Sequence, residues 1–357
     1  MMFPLWLRTL CVRLFFVLCV LMALAVFLYS PRFIRLRTEG KSITVLAWPQ
    51  EIDASEFVAF EKETGIKVNI RYFESNEELA AKLLNKGAQG VDLVMPSDYA
   101  AQMFIKKGLL KKIDTSKLAF FKDLNPRLMG HFFDPHNEYT IPYYWGVYGI
   151  GFDKDYFGAQ SPKASWGILF DKQYKSAHIT MPDNARYLML IVAQYLYGTI
   201  DNIDMHRSAQ IQQLLMAQKP LVELYTESWG EYLLASKASA LVVILSVDVA
   251  KAMKSFEHVD FMVPKEGSFL LIDSFALAAN TQKEDLAYQF LNYLYRPDIL
   301  QAYVDKFTFF PATTTVKPAF QPEQLQIPAT DKVKKLDFYR NVVSKSTLRD
   351  FWISLKS

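Results

Sequence analysis

Cysteine is almost absent from this sequence. Its two cysteines, Cys11 and Cys19, both precede residue 20, so residues 38–357 contain none. Disulfides, thiolate metal sites and cysteine nucleophiles are therefore excluded from the body of the chain. Such a body folds in an oxidising compartment without the risk of wrong disulfides.

Signatures of catalysis and of cofactor binding are also missing. The five histidines form no H-E-x-x-H motif, and neither a G-x-S-x-G elbow nor a Walker-type loop occurs. The glycines of YTIPYYWGVYGIGF, Tyr139 to Phe152, follow G-x-x-G-x-G spacing, which is not the dinucleotide fingerprint. Tyr143 and Tyr144 are adjacent in a strand pattern and should face opposite ways, which disfavours iron capture by a tyrosine pair. We expect a protein that is not an enzyme and holds no metal and no cofactor.

The small excess of positive charge belongs to the N-terminus. The first 37 residues hold five of the 40 basic side chains and no acidic one. Residues 38–357 therefore carry 35 basic against 37 acidic side chains, a formal charge of −2. This balance gives no indication of a nucleic-acid partner.

The N-terminus resembles an export segment. Arg8 and Arg13 precede the apolar run Leu14 to Tyr29, and Ala23-Leu24-Ala25 offers a cleavage site. The apolar run can also be taken from Leu10, and about 20 apolar residues suffice to span a bilayer. Residues 1–38 are therefore either a signal peptide or an apolar helix that anchors the chain in a membrane. Both interpretations place the body outside the cytoplasm.

Strand and helix patterns alternate after this leader. A capping box, Ser75-Asn76-Glu77-Glu78, opens one helix, and Gly65 ends the helix before it. The alternation predicts a parallel sheet with crossover helices, in which ligands bind at the carboxyl ends of strands. The three strands are ITVLAW (Ile43–Trp48), KVNIRYF (Lys67–Phe73) and VDLVM (Val91–Met95).

A second α/β unit follows, and 357 residues exceed what one hydrophobic core usually holds. AHITM, Ala177 to Met181, is a predicted strand, and Ala185 to Tyr197 is a predicted helix. Ser228 begins a second capping-box pattern before the strand Ala240–Leu245, and residues 331–357 have an amphipathic helical pattern. We expect two lobes.

Four stretches together resemble one family. They are FEKETGIKVNIRYFESNEELAAKL, DLVMPSDYAAQMFIKKGLLKKID, DPHNEYTIPYYWGVYGIGF and VPKEGSFLLIDSFALAAN. Their order and spacing are similar to those of the spermidine/putrescine-binding periplasmic proteins of bacterial ABC importers, over about Ile43 to Pro311. The resemblance implies a type II periplasmic binding protein with a ligand cleft between two α/β lobes. It also implies a polyamine ligand, an ABC permease in the inner membrane as partner, a periplasmic location, and a monomer.

The resemblance further implies lobe boundaries and site residues. Lobe 1 would comprise residues 42–147 and 273–316, and lobe 2 residues 148–272 and 317–357, with hinges near Val147 and Asp273. Trp48 matches a family tryptophan that forms an aromatic wall, and Ser97 and Tyr99 match the serine and tyrosine of a P-S-x-Y turn. Asp273 matches the acidic residue that holds a ligand amine. Aromatic faces and carboxylates suit a ligand made of methylenes and ammonium groups.

The second lobe departs from the family pattern. Asn184 and Tyr187 stand at the ligand-binding positions where the family has an aspartate and a glutamate. The family's further aromatic positions align with Ile244, Leu271 and Phe310, and its threonine aligns with Pro49. We expect Glu51, Asp98 or Glu227 to be the residues that could compensate for the missing carboxylates. Three interpretations stay open: an altered polyamine preference, a different small ligand, or a membrane-tethered sensor or interaction protein with a degenerate site.

Overall fold

The fold is described from a computed structural model of the chain. It covers Phe15, residues 18–22, Leu24, 41–49, 51–85, 90–318, Phe320, Leu325, 336–338, Arg340 and 342–357. The predicted leader, residues 1–38, lies outside the described residues apart from seven positions between 15 and 24. Within the described part of the chain, no helix is long and apolar enough to cross a bilayer.

The described strands join into one extended sheet. They are β1 (Ser42–Ala47), β2 (Lys67–Tyr72), β3 (Leu93–Val94), β4 (Leu110–Lys111), β5 (Ile141–Asp153), β6 (Ile179–Met181), β7 (Val222–Tyr225), β8 (Leu241–Leu245), β9 (Val259–Met262), β10 (Ser268–Ala278), β11 (Phe310–Pro311) and β12 (Leu336–Phe338). The main path through the sheet runs β2-β1-β3-β10-β5-β8-β6-β7.

Helices cover this sheet. They are α1 (Val58–Thr64), α2 (Asn76–Leu84), α3 (Asp98–Lys106), α4 (Lys154–Phe157), α5 (Ala185–Tyr197), α6 (Met205–Gln218), α7 (Gly230–Ala235), α8 (Ser246–Met253), α9 (Glu284–Leu294), α10 (Pro297–Phe307) and α11 (Lys345–Lys356). Short 3-10 turns occupy several of the connections.

Two parallel half-sheets are joined by an antiparallel pair of long strands. β1, β2 and β3 run parallel to one another, as do β6, β7 and β8. Between them, β10 pairs antiparallel with β3, and β5 pairs antiparallel with both β10 and β8. The two halves are the counterparts of the two α/β units in the sequence, and β5 and β10 connect them. The lobe boundaries within these strands stay a prediction.

Local sequence signals account for several element ends. Gly65 ends α1 in the left-handed conformation, at φ 70°, which suits a residue without a Cβ atom. Ser75 caps α2, because its hydroxyl accepts a hydrogen bond from the Glu78 backbone N–H at 3.1 Å. The predicted helix Ala185–Tyr197 has the same bounds in the structure, and Gly198 ends it in the left-handed conformation.

Two elements differ from the sequence prediction. The helix predicted to open at Ser228 begins at Gly230, and no side chain caps it because Trp229 takes the N-cap position with φ 71°. The predicted helical tail, residues 331–357, contains strand β12, and its helix begins only at Lys345. β12 pairs with residues 268–270 of β10. That long-range pairing overrides the local helical pattern.

The glycines of β5 permit close packing against neighbouring strands. A Cβ atom on Gly149 would overlap the Phe261 ring and lie 2.6 Å from the Met262 carbonyl oxygen. On Gly146 it would lie 2.9 Å from the Leu245 side chain. Neighbouring strands and side chains therefore approach the β5 backbone at the point where it passes between the two half-sheets.

Replacing Gly149 with alanine should destabilise the fold. The added methyl group meets a backbone carbonyl as well as a ring, so overpacking should cost about 1–3 kcal/mol. Gly108→Ala is the control, because a Cβ atom there meets nothing within 4 Å and only the φ of +65° is unfavourable. Thermal unfolding of both variants measures the difference. A smaller loss for Gly149→Ala than for Gly108→Ala would contradict this packing.

Candidate functional site

A cavity of about 490 Å³ opens between the two half-sheets. Its wall is built from the carboxyl ends of β1, β6 and β8, from β5 and β10, and from the first turns of α5, α7 and α8. The side chains that give it chemical character are Trp48, Glu51, Glu74, Ser97, Tyr144, Tyr148, Tyr187, Glu227, Trp229, Glu231, Asp248, Lys251 and Asp273. This is where a parallel sheet is expected to present ligand-binding side chains.

A pair of acidic side chains meets in the cavity wall. The Tyr144 hydroxyl, on β5, is hydrogen-bonded to both Glu51 and Asp273. Asp273 is 2% exposed, and the second carboxylate oxygen of Glu51, Oε2, is buried with no hydrogen-bond partner among the described residues. One phenol proton is thus shared by two carboxyl groups.

Burial dominates the electrostatics of this pair. Burial raises the pKa of Asp273 to about 6, although hydrogen bonds from Ser97 and Tyr144 oppose the rise. Burial and then the charge of Asp273 raise the pKa of Glu51 well above its usual value. Two carboxyl groups this close cannot both ionise cheaply when they are buried. A cation bound between them would offset the cost of ionising both.

Ser97 and Trp48, two of the predicted site residues, line the cavity. Ser97 holds the N-cap position of α3 but makes no capping bond with its side chain. Its hydroxyl accepts a hydrogen bond from Asn76 at 3.1 Å, which leaves its own proton for Asp273. Trp48 packs on Phe73 with ring centroids 4.4 Å apart, and its indole N–H is buried without a partner among the described residues.

Tyr99 does not line the cavity. It is 4% exposed, and its hydroxyl accepts a hydrogen bond from Asn76 at 3.1 Å. The guanidinium of Arg186 covers its ring at 4.6 Å from the centroid and lies 3.9 Å from Glu77. The cation on the face of Tyr99 is therefore the protein's own Arg186, which comes from α5 in the other half of the molecule.

Asn184 and Tyr187 have separate roles at the start of α5. Asn184 lies outside the cavity wall and caps the helix by accepting hydrogen bonds from the backbone N–H groups of Arg186 and Tyr187. Tyr187 lines the cavity, 6% exposed, with its ring 5.4 Å from that of Tyr148. Trp48, Ser97, Tyr187 and Asp273 therefore meet at the cavity, and Tyr99 and Asn184 do not. Contact of any of the six with a ligand stays a prediction.

Carboxylates do reach the cavity from the second half-sheet. Glu227 lies exposed at its mouth and has its pKa raised by partial desolvation, while a hydrogen bond from Asn184 lowers it. Glu231 on α7 and Asp248 on α8 line the same side. Of the three predicted compensators, Glu51 and Glu227 line the cavity. Asp98 is 1% exposed and instead accepts a hydrogen bond from the Ile272 backbone N–H at 3.3 Å.

Several lining residues escaped the sequence prediction. Tyr144, Tyr148, Trp229, Glu231, Asp248 and Lys251 line the cavity without matching a motif used above. Tyr144 and Tyr148 are four residues apart in β5. Because side chains alternate along a strand, this even spacing could have predicted that both lie on the same face. Trp229 is 65% exposed, and its positive φ places an indole at the mouth where no local pattern predicts it.

The cavity wall is strongly acidic and aromatic. It contains six carboxyl side chains, one lysine and five large aromatic side chains among the described residues. Carboxylates and ring faces attract ammonium groups, and ring faces also pack against methylenes. This wall suits an organic cation far better than an anion.

Comparisons with known proteins show what this chain is similar to. The sequence profile of bacterial extracellular solute-binding proteins matches residues 88–342. The putrescine-binding periplasmic protein PotF of Escherichia coli is 31% identical over 312 residues, which cover 82% of this chain and 84% of that protein. The spermidine/putrescine-binding periplasmic protein of Escherichia coli is 28% identical over 317 residues, 87% of this chain and 90% of that protein.

Solved structures show the same fold. A structure from Listeria monocytogenes, assigned to a spermidine/putrescine ABC transporter, superimposes with a TM-score of 0.78 at 28% identity. The match covers 88% of this chain and 99% of that one. These comparisons confirm the resemblance found in the sequence and the mixed α/β fold of type II periplasmic binding proteins.

Replacing Glu51 with glutamine should stabilise the empty protein at neutral pH. The folded state holds these carboxyl protons more tightly than the unfolded state, so each raised pKa makes stability fall as pH rises above about 4. Glu51→Gln removes a carboxyl group whose pKa is raised on folding, and should gain about 1–2 kcal/mol near pH 7. Thermal unfolding between about pH 5 and 8 should show this gain growing with pH. The exposed Glu257→Gln serves as control, and a pH-independent difference for Glu51→Gln would contradict the shared proton.

Proposed function

The chain belongs to the bacterial extracellular solute-binding protein family, and on this basis we propose that it is the extracytoplasmic substrate-binding protein of an ABC importer and binds a polyamine of the putrescine/spermidine type. The observation that carries the proposal is the acidic, aromatic cavity between the half-sheets. The relatives' names and the fold support it.

The ligand would be held by charge at its ends and by rings along its length. One ammonium group would lie between Glu51 and Asp273, next to the hydroxyls of Ser97 and Tyr144. Trp48, Tyr148 and Tyr187 would face the methylenes. Interactions of an ammonium group with buried carboxylates are strong because the carboxylates are already desolvated, and an unpaired buried charge is costly.

Capture would proceed by closure of two lobes. We keep the predicted boundaries, with lobe 1 comprising residues 42–147 and 273–316 and lobe 2 residues 148–272 and 317–357. Hinges near Val147 and Asp273 would lie on β5 and β10, the strands that connect the half-sheets. A ligand that contacts both lobes favours the closed state by its higher affinity for that state. The closed protein, a monomer, would then dock on a permease in the inner membrane.

A periplasmic location follows from the same proposal. The leader, residues 1–38, would be either removed or retained as an apolar anchor in the inner membrane. The mass of the mature protein separates these two outcomes. A product that begins near Val26 would remove the anchor.

A second candidate function rests on Asn184 and Tyr187, which stand where the family has carboxylates. Asn184 caps α5. The protein would then bind a different small ligand, or act as a membrane-tethered sensor or interaction protein with a degenerate polyamine site. The calorimetric titration below separates this candidate from polyamine binding.

Putrescine should bind the soluble body, residues 39–357, and Asp273→Asn should weaken that binding about 100-fold or more, because one buried partner of the ammonium loses its charge. Isothermal titration measures both. 1,4-Butanediol, of the same length without charges, is the ligand control, and Asp350→Asn, exposed on α11, is the matched variant. If no polyamine binds the unmodified body at millimolar concentration, the polyamine proposal fails.

Binding should release protons near pH 6–7. An ammonium group favours ionised carboxylates, so it lowers the raised pKa values of Glu51 and Asp273 and displaces about one proton. Affinity should therefore increase as pH rises from about 5 to about 7. Titrations in two buffers of different ionisation enthalpy report the released protons, and Glu51→Gln should reduce their number. Equal heats in the two buffers would contradict proton release from this carboxyl pair on binding.

A further inference from the structure

Lysine 251 is the one cationic side chain in the described wall of the acidic cavity. It lies on α8, where its Nζ atom is 3.0 Å from Oδ1 of Asp248, one helical turn earlier. Both side chains are partly buried, with 26% of Lys251 and 37% of Asp248 exposed. The pair therefore belongs to the cavity and not to the outer surface of the helix.

The surroundings keep this ammonium charged. Burial lowers the pKa of Lys251, but Asp248, Glu51 and Glu231 together outweigh burial, so the net pKa is raised. Those carboxyl groups come from three different elements: the loop after β1, α7 and α8. Lys251 is thus surrounded by acidic groups from both sides of the cavity, as an ammonium group of a ligand would be.

A nearby lysine has a different orientation, so the direction of Lys251 into the cavity is a property of that side chain's own surroundings. Lys254, three residues later, reaches out of the cavity to the Thr308 hydroxyl at 2.7 Å and the Asp305 carbonyl oxygen at 3.2 Å. Lys251 instead directs its charge into the space that a ligand needs. An inward lysine also costs affinity for any cation placed beside it, because like charges repel.

We infer that Lys251 determines how many ammonium groups the ligand carries. Its own ammonium group, held by Asp248, occupies the acidic position that a third ligand ammonium would require. The cavity then accepts a compact diamine, with one ammonium group at Glu51 and Asp273, in preference to a triamine. This inference rests on the proposed polyamine function and names the substrate class within it.

The test compares putrescine, a diamine, with spermidine, a triamine, by isothermal titration of the soluble body. Lys251→Met removes the internal ammonium group and frees Asp248, so spermidine affinity should increase about tenfold relative to putrescine affinity. Lys251→Arg keeps the charge and should keep the preference for putrescine. Lys237→Met, on an exposed lysine paired with Asp155, is the control for loss of a lysine elsewhere.

A double variant separates charge from space. Asp248→Asn combined with Lys251→Met leaves the same extra room but no freed carboxylate, so the gain for spermidine should disappear. An unchanged spermidine-to-putrescine ratio in Lys251→Met, or an equal gain in the double variant, would overturn the role of Lys251. If the unmodified body binds putrescine, either result overturns this inference alone. If neither the unmodified body nor Lys251→Met binds any polyamine, the proposed function itself fails.

Discussion

Two carboxyl groups held together in the cavity wall are the interaction on which this cavity depends. Glu51 and Asp273 meet at the Tyr144 hydroxyl. The nearby cation Lys251 acts on Glu51 but is paired with Asp248. Such an arrangement is costly when empty and favourable when a cation enters. The free energy that folding loses at this acidic pair is offset by the apolar core of the two half-sheets. The carboxyl groups are therefore already desolvated before a ligand binds.

The strands that hold this pair also connect the two halves of the molecule. Tyr144 lies on β5 and Asp273 on β10, and these strands pair with each other between the parallel half-sheets. The β10 register shifts between Asp273 and Ser274, so the regular ladder is interrupted at the acidic residue itself. A cation bound there would therefore contact both of the strands that join the two half-sheets.

Local patterns predicted more of the fold than of the site. The three first strands and the helix Ala185–Tyr197 followed from hydrophobic periodicity and caps, which depend on neighbours in sequence. Asp273 was predicted from a stretch that resembles a family, and Trp48 from its place at the end of a predicted strand and its match to a family tryptophan. Both line the cavity. The cover of Arg186 on Tyr99 and the inward position of Lys251 could not be predicted, because both depend on groups brought together only by the tertiary fold. β12 was missed for the same reason: its pairing with β10, and not its own sequence, makes it a strand.

The contact between Arg186 and Tyr99 joins the two half-sheets directly. The guanidinium of Arg186 on α5 lies 4.6 Å from the ring centroid of Tyr99 on α3 and 3.9 Å from Glu77 on α2. In the proposed closure mechanism, this contact would have to break before the two halves could separate. It would then slow both the entry and the release of a ligand, so the residence time of the ligand would depend on a contact that the ligand does not make.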